Sequence, residues 1–551
     1  MTATTQRELP VGTAATAHRA PDDSLAGLGS MIRLVLRRNR VRLVVWWVVI
    51  VGLFYYVLAY YKTIFTTQEA LDDFATISNT PGIKAITGLA AAANTMGGAV
   101  WTKIWMTCAL SLAFGIVFLV TRNGRADEEV GRTELLRSRV LGIHAYSIAT
   151  WVVMAGLSLA VGLGVAATSA AGGLDPAGAG ITGSLITGAS MTGVGLVGLG
   201  VGAFAGHLAS TSRGANALGS AALGVFYMLR MAGDLGDGKL TWASPIGWAQ
   251  EMQPWGANRW WPLGLIVLLT GVLLAVAARL ESHRDFGAGL LPERSGRSSA
   301  PSRFAQPLGL ALRLQRGPII GWTITMLIGA LMLGSVVESF HDLLEDAGGS
   351  VAGRYGASVD ALLSLLVVML ALITTVFAIQ TTVSMRSDEA SGIIEPQLSG
   401  AISRTRWVLQ RLTIPAAGSA VLLLIGGGLM GATYGSLIGD SGQTTRLAGA
   451  TLAYWPAVMV FVGLGVALFG WLPRLTIALS WGVLAAMWFV VVIGDALHLP
   501  DWVLNLLPFS ATPSVPADPL RWTPLVLLLL AALLLGWIGL DRFRRRDIQP
   551  G

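Results

Sequence analysis

The chain has 551 residues, of which 53% are hydrophobic and only 13% are charged. Soluble proteins carry about 25% charged residues, so these charges are too few to cover water-soluble domains of this size. The 38 Lys and Arg residues outnumber the 31 Asp and Glu residues, but they are spread over many loops, which argues against nucleic-acid binding. The composition therefore predicts a polytopic membrane protein.

Residues 1–24 are polar, contain Pro and Thr, and have no apolar segment of the kind found in a signal peptide. This stretch predicts a flexible cytoplasmic tail. Cys108 is the one cysteine in the sequence, so an internal disulfide is excluded. The six histidines are isolated from one another and lack the spacing of metal ligands. We therefore expect no metal site.

Twelve runs of about 20 apolar residues are long enough to cross a bilayer. They lie at residues 41–61, 98–121, 141–168, 181–206, 215–233, 261–278, 318–337, 360–384, 407–432, 447–470, 475–494 and 522–540. Backbone groups within hydrocarbon must form their hydrogen bonds inside the segment, which predicts that each run is a helix. The fold class is therefore all-α, with twelve transmembrane helices.

Arginines cluster in alternate loops between these runs. The clusters lie at residues 33–42, 122–139, 279–316, 386–406 and 542–546. Because basic loops stay on the cytoplasmic side, both termini are predicted to be cytoplasmic.

The sequence contains an internal repeat. An acidic pattern follows the second run, at Arg125, Asp127, Glu128, Gly131, Glu134 and Ser138. The same residue types recur 261 positions later, at Arg386, Asp388, Glu389, Gly392, Glu395 and Ser399. The same shift relates Gly233-Asp234 to Gly494-Asp495. An even number of runs separates equivalent points, so the repeats are parallel. They predict two six-span halves, residues 25–280 and 304–546, joined by a cytoplasmic linker at 281–303.

The duplicated acidic loops allow two interpretations. In each, the glycine can end or bend a short helical segment so that the carboxylates lie on one side. A solvated loop whose carboxylates pair with nearby arginines would explain one copy. The presence of both copies, at the same place in each half, favours a docking surface for a partner present in two copies.

This pattern after the second of six spans resembles the cytoplasmic loop of ABC-2 type exporter permeases. The whole chain is similar to the actinobacterial "exporter of polyketide antibiotics" group, which includes tetronasin-type permeases. The resemblance implies a permease subunit in the bacterial plasma membrane that exports a hydrophobic small molecule, driven by two copies of a separate ATPase subunit. It assigns ATPase coupling to Asp127, Glu128, Gly131, Glu134, Asp388, Glu389, Gly392 and Glu395. It also implies an interfacial helix before each half and a short external re-entrant element between spans five and six.

The sequence has no nucleotide-binding domain. Gly233 to Lys239 fits G-x-x-x-x-G-K, but Leu240 replaces the Ser or Thr that would contact Mg²⁺, and no strand precedes the motif. We therefore expect that the chain is not an enzyme and that a partner ATPase binds ATP and Mg²⁺.

The family pattern places the substrate path between the halves, along the first, second and fifth spans of each. The candidate residues there are Trp46, Tyr55, Lys103, Trp105, Phe226, Arg230, Trp322, Met326, Phe377 and Trp488. Each could instead pack against a neighbouring helix, and Arg230 could form an i,i+4 ion pair with Asp234. As a set they favour an amphipathic, largely apolar substrate, with Lys103 attracting an anionic group.

Two other classes of protein compete with this interpretation. A proton-coupled exporter of the major facilitator type also has two parallel six-span halves. Major facilitator exporters have a basic loop between spans two and three, whereas this chain has an acidic loop at that position. A membrane-embedded enzyme would need a convergent cluster of His, Cys or carboxylate groups, which the sequence does not offer.

Overall fold

The computed structural model describes residues 23–137, 141–175, 180–283, 289–290, 307–346, 359–400, 402–497 and 507–548. Within these residues the secondary structure is helical and contains no strand. Ten of the described helices are long and apolar enough to cross a membrane. The protein is an all-α polytopic membrane protein, as predicted.

The helices up to residue 283 include five long apolar ones and several short connecting ones. They are α1 (Leu28–Ile64), α2 (Gln68–Ser78), α3 (Pro81–Thr87), α4 (Met96–Arg122), α5 (Arg125–Glu129), α6 (Arg132–Arg137), α7 (Ala145–Ala171), α8 (Thr182–Leu208), α9 (Ser212–Leu235), α10 (Pro245–Gln250) and α11 (Trp261–His283). A 3₁₀ turn, Leu240–Ala243, precedes α10.

Eight described helices follow in the second part. They are α12 (Pro307–Asp346), α13 (Val359–Ala390), α14 (Ile394–Leu398), α15 (Arg404–Ile438), α16 (Gly442–Leu452), α17 (Trp455–Trp471), α18 (Thr476–Leu497) and α19 (Trp522–Arg545).

Contacts divide the chain into two compact units. The first comprises Met1–Asn79 and Thr87–Arg294, and the second comprises Thr80–Ile86 and Ser295–Gly551. Each unit has its own apolar core. In the first unit, α4 and α8 are the most enclosed of the candidate spans.

Small residues allow the long helices to approach closely, as is common in membrane bundles. A Cβ added at Gly162 of α7 would lie 2.3 Å from the carbonyl oxygen of Gly188 in α8, and the reverse distance is also 2.3 Å. In the second unit, a Cβ at Gly470 of α17 would lie 2.3 Å from the carbonyl oxygen of Gly539 in α19. Backbone contact at these crossings therefore depends on glycine.

The first span is longer than the sequence predicted. The resemblance implied a separate interfacial helix before residue 41, but α1 is one unbroken helix of 37 residues. At 1.5 Å per residue it is about 55 Å long, against a hydrocarbon thickness of about 30 Å. Its Arg-rich first turns therefore project beyond the hydrocarbon as part of the span.

The ten candidate spans leave out two of the twelve predicted runs. The fifth and eleventh runs coincide with α9 and α18, and neither of these helices is among the ten that meet the length and apolarity criteria. The count of twelve spans therefore stays a prediction. The predicted tail and linker fall largely outside the described residues.

Candidate coupling elements

The two acidic patterns form two short structures of similar backbone. We call residues 125–137 the first acidic element and residues 386–398 the second acidic element. Gly131 and Gly392 both have left-handed backbone conformations, with φ of 70° and 73°. The N–H of Gly131 donates to the carbonyl of Glu128 at 3.0 Å, and that of Gly392 donates to the carbonyl of Glu389 at 3.1 Å. The prediction that each glycine ends a helical turn is confirmed, because φ > 0 favours glycine.

An equivalent ion pair lies inside each element. Arg125 contacts Glu128 at 2.8 Å in the first, and Arg386 contacts Glu389 at 3.1 Å in the second. Both pairs are at i,i+3 spacing on a helical turn, where side chains are neighbours. The internal repeat therefore preserves a local fold as well as a residue pattern.

Asp127 connects the first acidic element to two long helices. Its carboxylate accepts hydrogen bonds from Arg38 of α1, at 2.8 Å to one oxygen, and from the Tyr146 hydroxyl of α7 at 2.7 Å. Arg132 contacts it from within the element at 3.2 Å. Asp127 is buried, and hydrogen bonds that involve an ionised partner are among the strongest in proteins. This carboxylate therefore holds the element against α1 and α7.

The same element also holds the start of α9. Arg125 Nε donates to the carbonyl oxygen of Ser210 at 2.8 Å. The Glu129 carboxylate accepts from the backbone N–H of Ser212 at 2.7 Å and from its hydroxyl at 2.5 Å. Because Ser212 is the first residue of α9, an acidic group there satisfies a helix N–H and complements the helix dipole.

The second acidic element is held by other partners. Glu389 is fully buried and receives both terminal nitrogens of Arg546, at 2.5 and 2.9 Å, just after the end of α19. The Arg546 guanidinium also lies over the rings of Phe469 and Phe543, 5.0 and 5.1 Å from their centroids. Arg411 of α15 pairs with Asp388 at 2.7 Å. The two acidic elements therefore share a backbone conformation and an internal ion pair. They differ in the helices and side chains that hold them in place.

The predicted docking set divides into two groups. Asp127 and Glu389 are buried, and Glu128 and Asp388 are mostly covered. These four carboxylates do not form an open acidic surface, because internal cations and hydroxyls already occupy them. Glu134 and Glu395 are exposed. The surface that each element offers to a partner therefore carries the glutamate that lies three residues after the glycine.

Sequence reasoning did not find the partners of the buried carboxylates. Arg38 is one of several arginines before the first span, and Tyr146 carries no motif. Arg411 and Arg546 also lie in basic segments that topology alone explains. A charge pattern marks the side of the membrane, but the packing of helix ends decides which arginine meets which acid.

The predicted pathway residues occupy three kinds of environment. Tyr55, Lys103 and Trp488 are exposed, and Trp46, Phe226 and Trp322 are half-buried. The remaining four are buried within their own unit: Trp105, Arg230, Met326 and Phe377. As placed, these four side chains offer no surface to a ligand.

The neighbours of the buried aromatic residues explain their position. Trp105 stacks on Trp101 at 4.2 Å between ring centroids and donates to the Ser190 hydroxyl of α8 at 3.0 Å. The Phe377 ring fills the space beside Gly418, where an added Cβ would lie 2.7 Å from it. Both residues therefore serve helix packing in this conformation, which was the alternative interpretation of the sequence.

Arg230 lies in a buried polar cluster at the end of α9. It contacts Asp234 at 3.0 Å, which confirms the i,i+4 pair, and approaches the Gln250 side-chain oxygen at 3.4 Å. Gln250 donates to both oxygens of Asp234, at 3.0 and 3.1 Å, and the Thr241 hydroxyl donates to one of them at 3.1 Å. The Tyr227 ring lies 4.7 Å from the guanidinium carbon. These bonds attach the 3₁₀ turn and α10, at the predicted site of the re-entrant element, to α9.

Gly233 should be intolerant of any side chain. A Cβ there would lie 2.1 Å from the backbone nitrogen of Thr241, so Gly233→Ala must displace backbone. We expect a loss of about 1–3 kcal/mol, typical of overpacking, seen as a lower thermal unfolding temperature in detergent. Gly271→Ala on α11 is the matched control, since no atom lies within 4 Å of its added Cβ. Equal unfolding temperatures for both variants would contradict this packing.

The apparent phosphate-binding motif between Gly233 and Lys239 has another explanation. Lys239 Nζ contacts Asp237 at 2.5 Å, and its backbone N–H donates to the same carboxylate at 3.1 Å. The two hydrogen bonds from Lys239 hold the pKa of Asp237 below its ordinary value. The motif therefore spans the buried end of α9 and the exposed turn after it, and Gly233 is needed for the approach of Thr241.

The described residues contain no group of three or more His, Cys, Asp or Glu placed to hold a metal ion. The fold and the duplicated elements define a multi-pass membrane protein with an internal repeat. The family "Multidrug efflux system permease Rv1217c, C-terminal domain" matches residues 304–544. The chain is also 35% identical over 546 residues to the multidrug efflux system permease protein Rv1217c of Mycobacterium tuberculosis (strain ATCC 25618 / H37Rv), covering 97% of each chain. It therefore belongs to the family of this permease.

Proposed function

We propose that this chain is the membrane subunit of an ATP-binding cassette exporter, driven by two copies of a separate ATPase. The observation that carries the proposal is the duplicated acidic element. Each copy has a glycine near φ 70°, the same internal ion pair and an exposed glutamate. Two equivalent surfaces suit two copies of one partner. The named relative, an efflux permease, supports export as the direction of transport.

In this mechanism the partner acts on the membrane helices through the acidic elements. ATP-bound and ATP-free ATPase must bind the elements differently, because a ligand shifts an equilibrium only by its differential affinity. A displacement of the first acidic element is passed to α1 and α7 through Asp127 and to α9 through Arg125 and Glu129. In the second, it is passed to the end of α19 through Glu389 and to α15 through Asp388.

The proposed orientation places both acidic elements and both termini in the cytoplasm of a bacterial cell. The arginine clusters at the same helix ends support this topology. ATP and Mg²⁺ would be bound by the partner, and this chain would contribute no catalytic residue.

The proposed substrate is amphipathic and largely apolar. The pathway residues that keep exposed surface support this class, since most are aromatic: Trp46, Tyr55, Phe226, Trp322 and Trp488, together with Lys103. A site lined in this way gains affinity by burying apolar area, with few polar groups to fix orientation. That the path runs between the halves stays a prediction.

Lys103 should contribute to charge selectivity. Its side chain is exposed on α4 and forms no ion pair within the described residues. We expect Lys103→Met to reduce export of carboxylate-bearing compounds about tenfold while neutral analogues of similar size are exported normally. Uptake of labelled compounds into inverted vesicles measures both rates. An equal loss for charged and neutral compounds would remove Lys103 from the substrate path.

The energy source is tested by reconstitution. We expect the chain alone in proteoliposomes to bind no ATP and to transport nothing, and transport to begin when an ATPase subunit is added with Mg²⁺ and ATP. Vanadate should abolish this transport and a protonophore should leave it unchanged. Transport that a proton gradient drives without an ATPase would support the major facilitator alternative, and tight Mg²⁺-dependent ATP binding by the chain alone would also contradict the proposal.

A further inference from the structure

An apolar groove lies between α1 and α7 of the first unit. Its volume is about 450 Å³. Its lining includes Ile32, Leu36, Val44 and Trp47 of α1 and Gly156 and Ala160 of α7. The groove is a second feature of α1, distinct from the Arg38 contact to the first acidic element.

The groove is closed at one end and open along its length. At the closed end, Trp47 Nε1 donates to the carbonyl oxygen of Ala160 at 3.0 Å, and a Cβ on Gly164 would lie 2.7 Å from Val51. The two helices therefore touch there. At Gly156 nothing lies within 4 Å of an added Cβ. Toward the Arg-rich end, the helices leave space for an occupant.

The groove runs from the hydrocarbon into the headgroup region of a bilayer. Its lining on α1 runs from Ile32 to Trp47, fifteen residues or about 23 Å, which exceeds the roughly 15 Å of hydrocarbon in one leaflet, because the Arg-rich first turns of α1 lie beyond the hydrocarbon. All the lining side chains are apolar or the indole of Trp47. An extended acyl chain fits this shape and chemistry.

Exposed positive charge lies along the α1 side of the groove. Arg40 lies four residues after Leu36 and four before Val44, so it lies on the same stripe of α1 as the groove lining. Arg37 lies about one turn before Arg40, and Arg33 lies about two turns before it. All three are exposed, and none forms an ion pair within the described residues. By contrast, Arg38 is occupied by Asp127.

We propose that this groove is a binding site for an anionic phospholipid of the inner leaflet. One acyl chain lies along the groove, and Arg37 and Arg40 bind the phosphate group. The positive charge of Arg37 and Arg40 favours an anionic lipid, because basic residues at a membrane surface attract anionic lipids. Since α1 and α7 both hold Asp127, a lipid between them also stabilises the frame around the first acidic element.

Native mass spectrometry of the full chain in detergent, with added phosphatidylglycerol or phosphatidylcholine, tests the site. We expect retention of phosphatidylglycerol and weaker retention of phosphatidylcholine. Gly156→Leu should fill the groove and reduce retention of both lipids at least tenfold. Gly264→Leu on α11 is the control, because its added Cβ also meets nothing within 4 Å, and it should behave like the original chain.

A charge variant tests the headgroup contact separately. Arg37→Gln with Arg40→Gln should weaken phosphatidylglycerol about tenfold to thirtyfold and weaken phosphatidylcholine less, because choline balances the charge of its phosphate. Arg279→Gln with Arg316→Gln removes two other exposed arginines and should have little effect. The site is wrong if Gly156→Leu retains phosphatidylglycerol fully, if the charge variant loses none of it, or if an exported compound or a second copy of the chain displaces it stoichiometrically. These readouts do not depend on an ATPase, so they can fail while the proposed function holds.

Discussion

Replacing Glu134 and Glu395 together by lysine should reduce ATP-driven transport at least tenfold. These two glutamates are exposed and occupy equivalent positions in the two acidic elements, so the change reverses the charge that each element presents. Like charges placed across a protein interface cost several kcal/mol. The fold should persist, because an exposed carboxylate contributes little to stability. Transport by proteoliposomes containing the ATPase, together with co-purification of the ATPase, measures the effect.

A double variant on the predicted external side of the membrane provides the control. Asp73→Lys with Asp518→Lys makes the same charge change at two exposed acids, one before α4 and one before α19. We expect this variant to transport normally. Normal transport and normal ATPase binding by the Glu134 and Glu395 variant would refute the coupling assignment.

Replacing Glu389 by alanine should cause the largest loss of stability of any single change in the acidic elements. The residue is fully buried and contacts both Arg386 and Arg546. Its removal leaves two largely buried cations without this carboxylate, and breaking a buried ion pair costs about 3–5 kcal/mol. We expect a marked decrease in the thermal unfolding temperature of the purified chain in detergent.

Glu395→Ala is the matched comparison, since it removes the same group six residues later from an exposed position. It should change the free energy of unfolding by less than about 0.5 kcal/mol. Arg546→Ala should reproduce part of the Glu389→Ala loss. If Glu389→Ala and Glu395→Ala unfold at the same temperature, the buried position of Glu389 is incorrect.

The sequence predicted the features that depend on local pattern. Apolar run length predicted the long helices, and the 261-residue shift predicted two acidic elements whose glycines have the same conformation. The i,i+4 spacing of Arg230 and Asp234 predicted their ion pair. Each of these follows from spacing along one helix or one turn, which a single sequence displays directly.

The sequence did not predict features that depend on how helix ends pack. It grouped Asp127, Glu128 and Glu134 as one docking surface, although the structure covers the first two and exposes the third. It placed Trp105 and Phe377 in the substrate path, although both are packed within their own units. An apolar side chain on a membrane helix can face lipid, a neighbouring helix or a ligand, and the residue type is the same in all three cases.

Because α1 is one unbroken helix, a tilt about its middle displaces its cytoplasmic end. Gly52 has nothing within 4 Å of an added Cβ, and Arg38 lies fourteen residues before it, about 21 Å along the axis. A tilt of about 10° about Gly52 would move the Arg38 backbone by about 4 Å, which exceeds the length of a hydrogen bond. The first acidic element must then move with α1, or the contact between Arg38 and Asp127 must break. A rotation of about 10° is therefore large enough to change the position of α5.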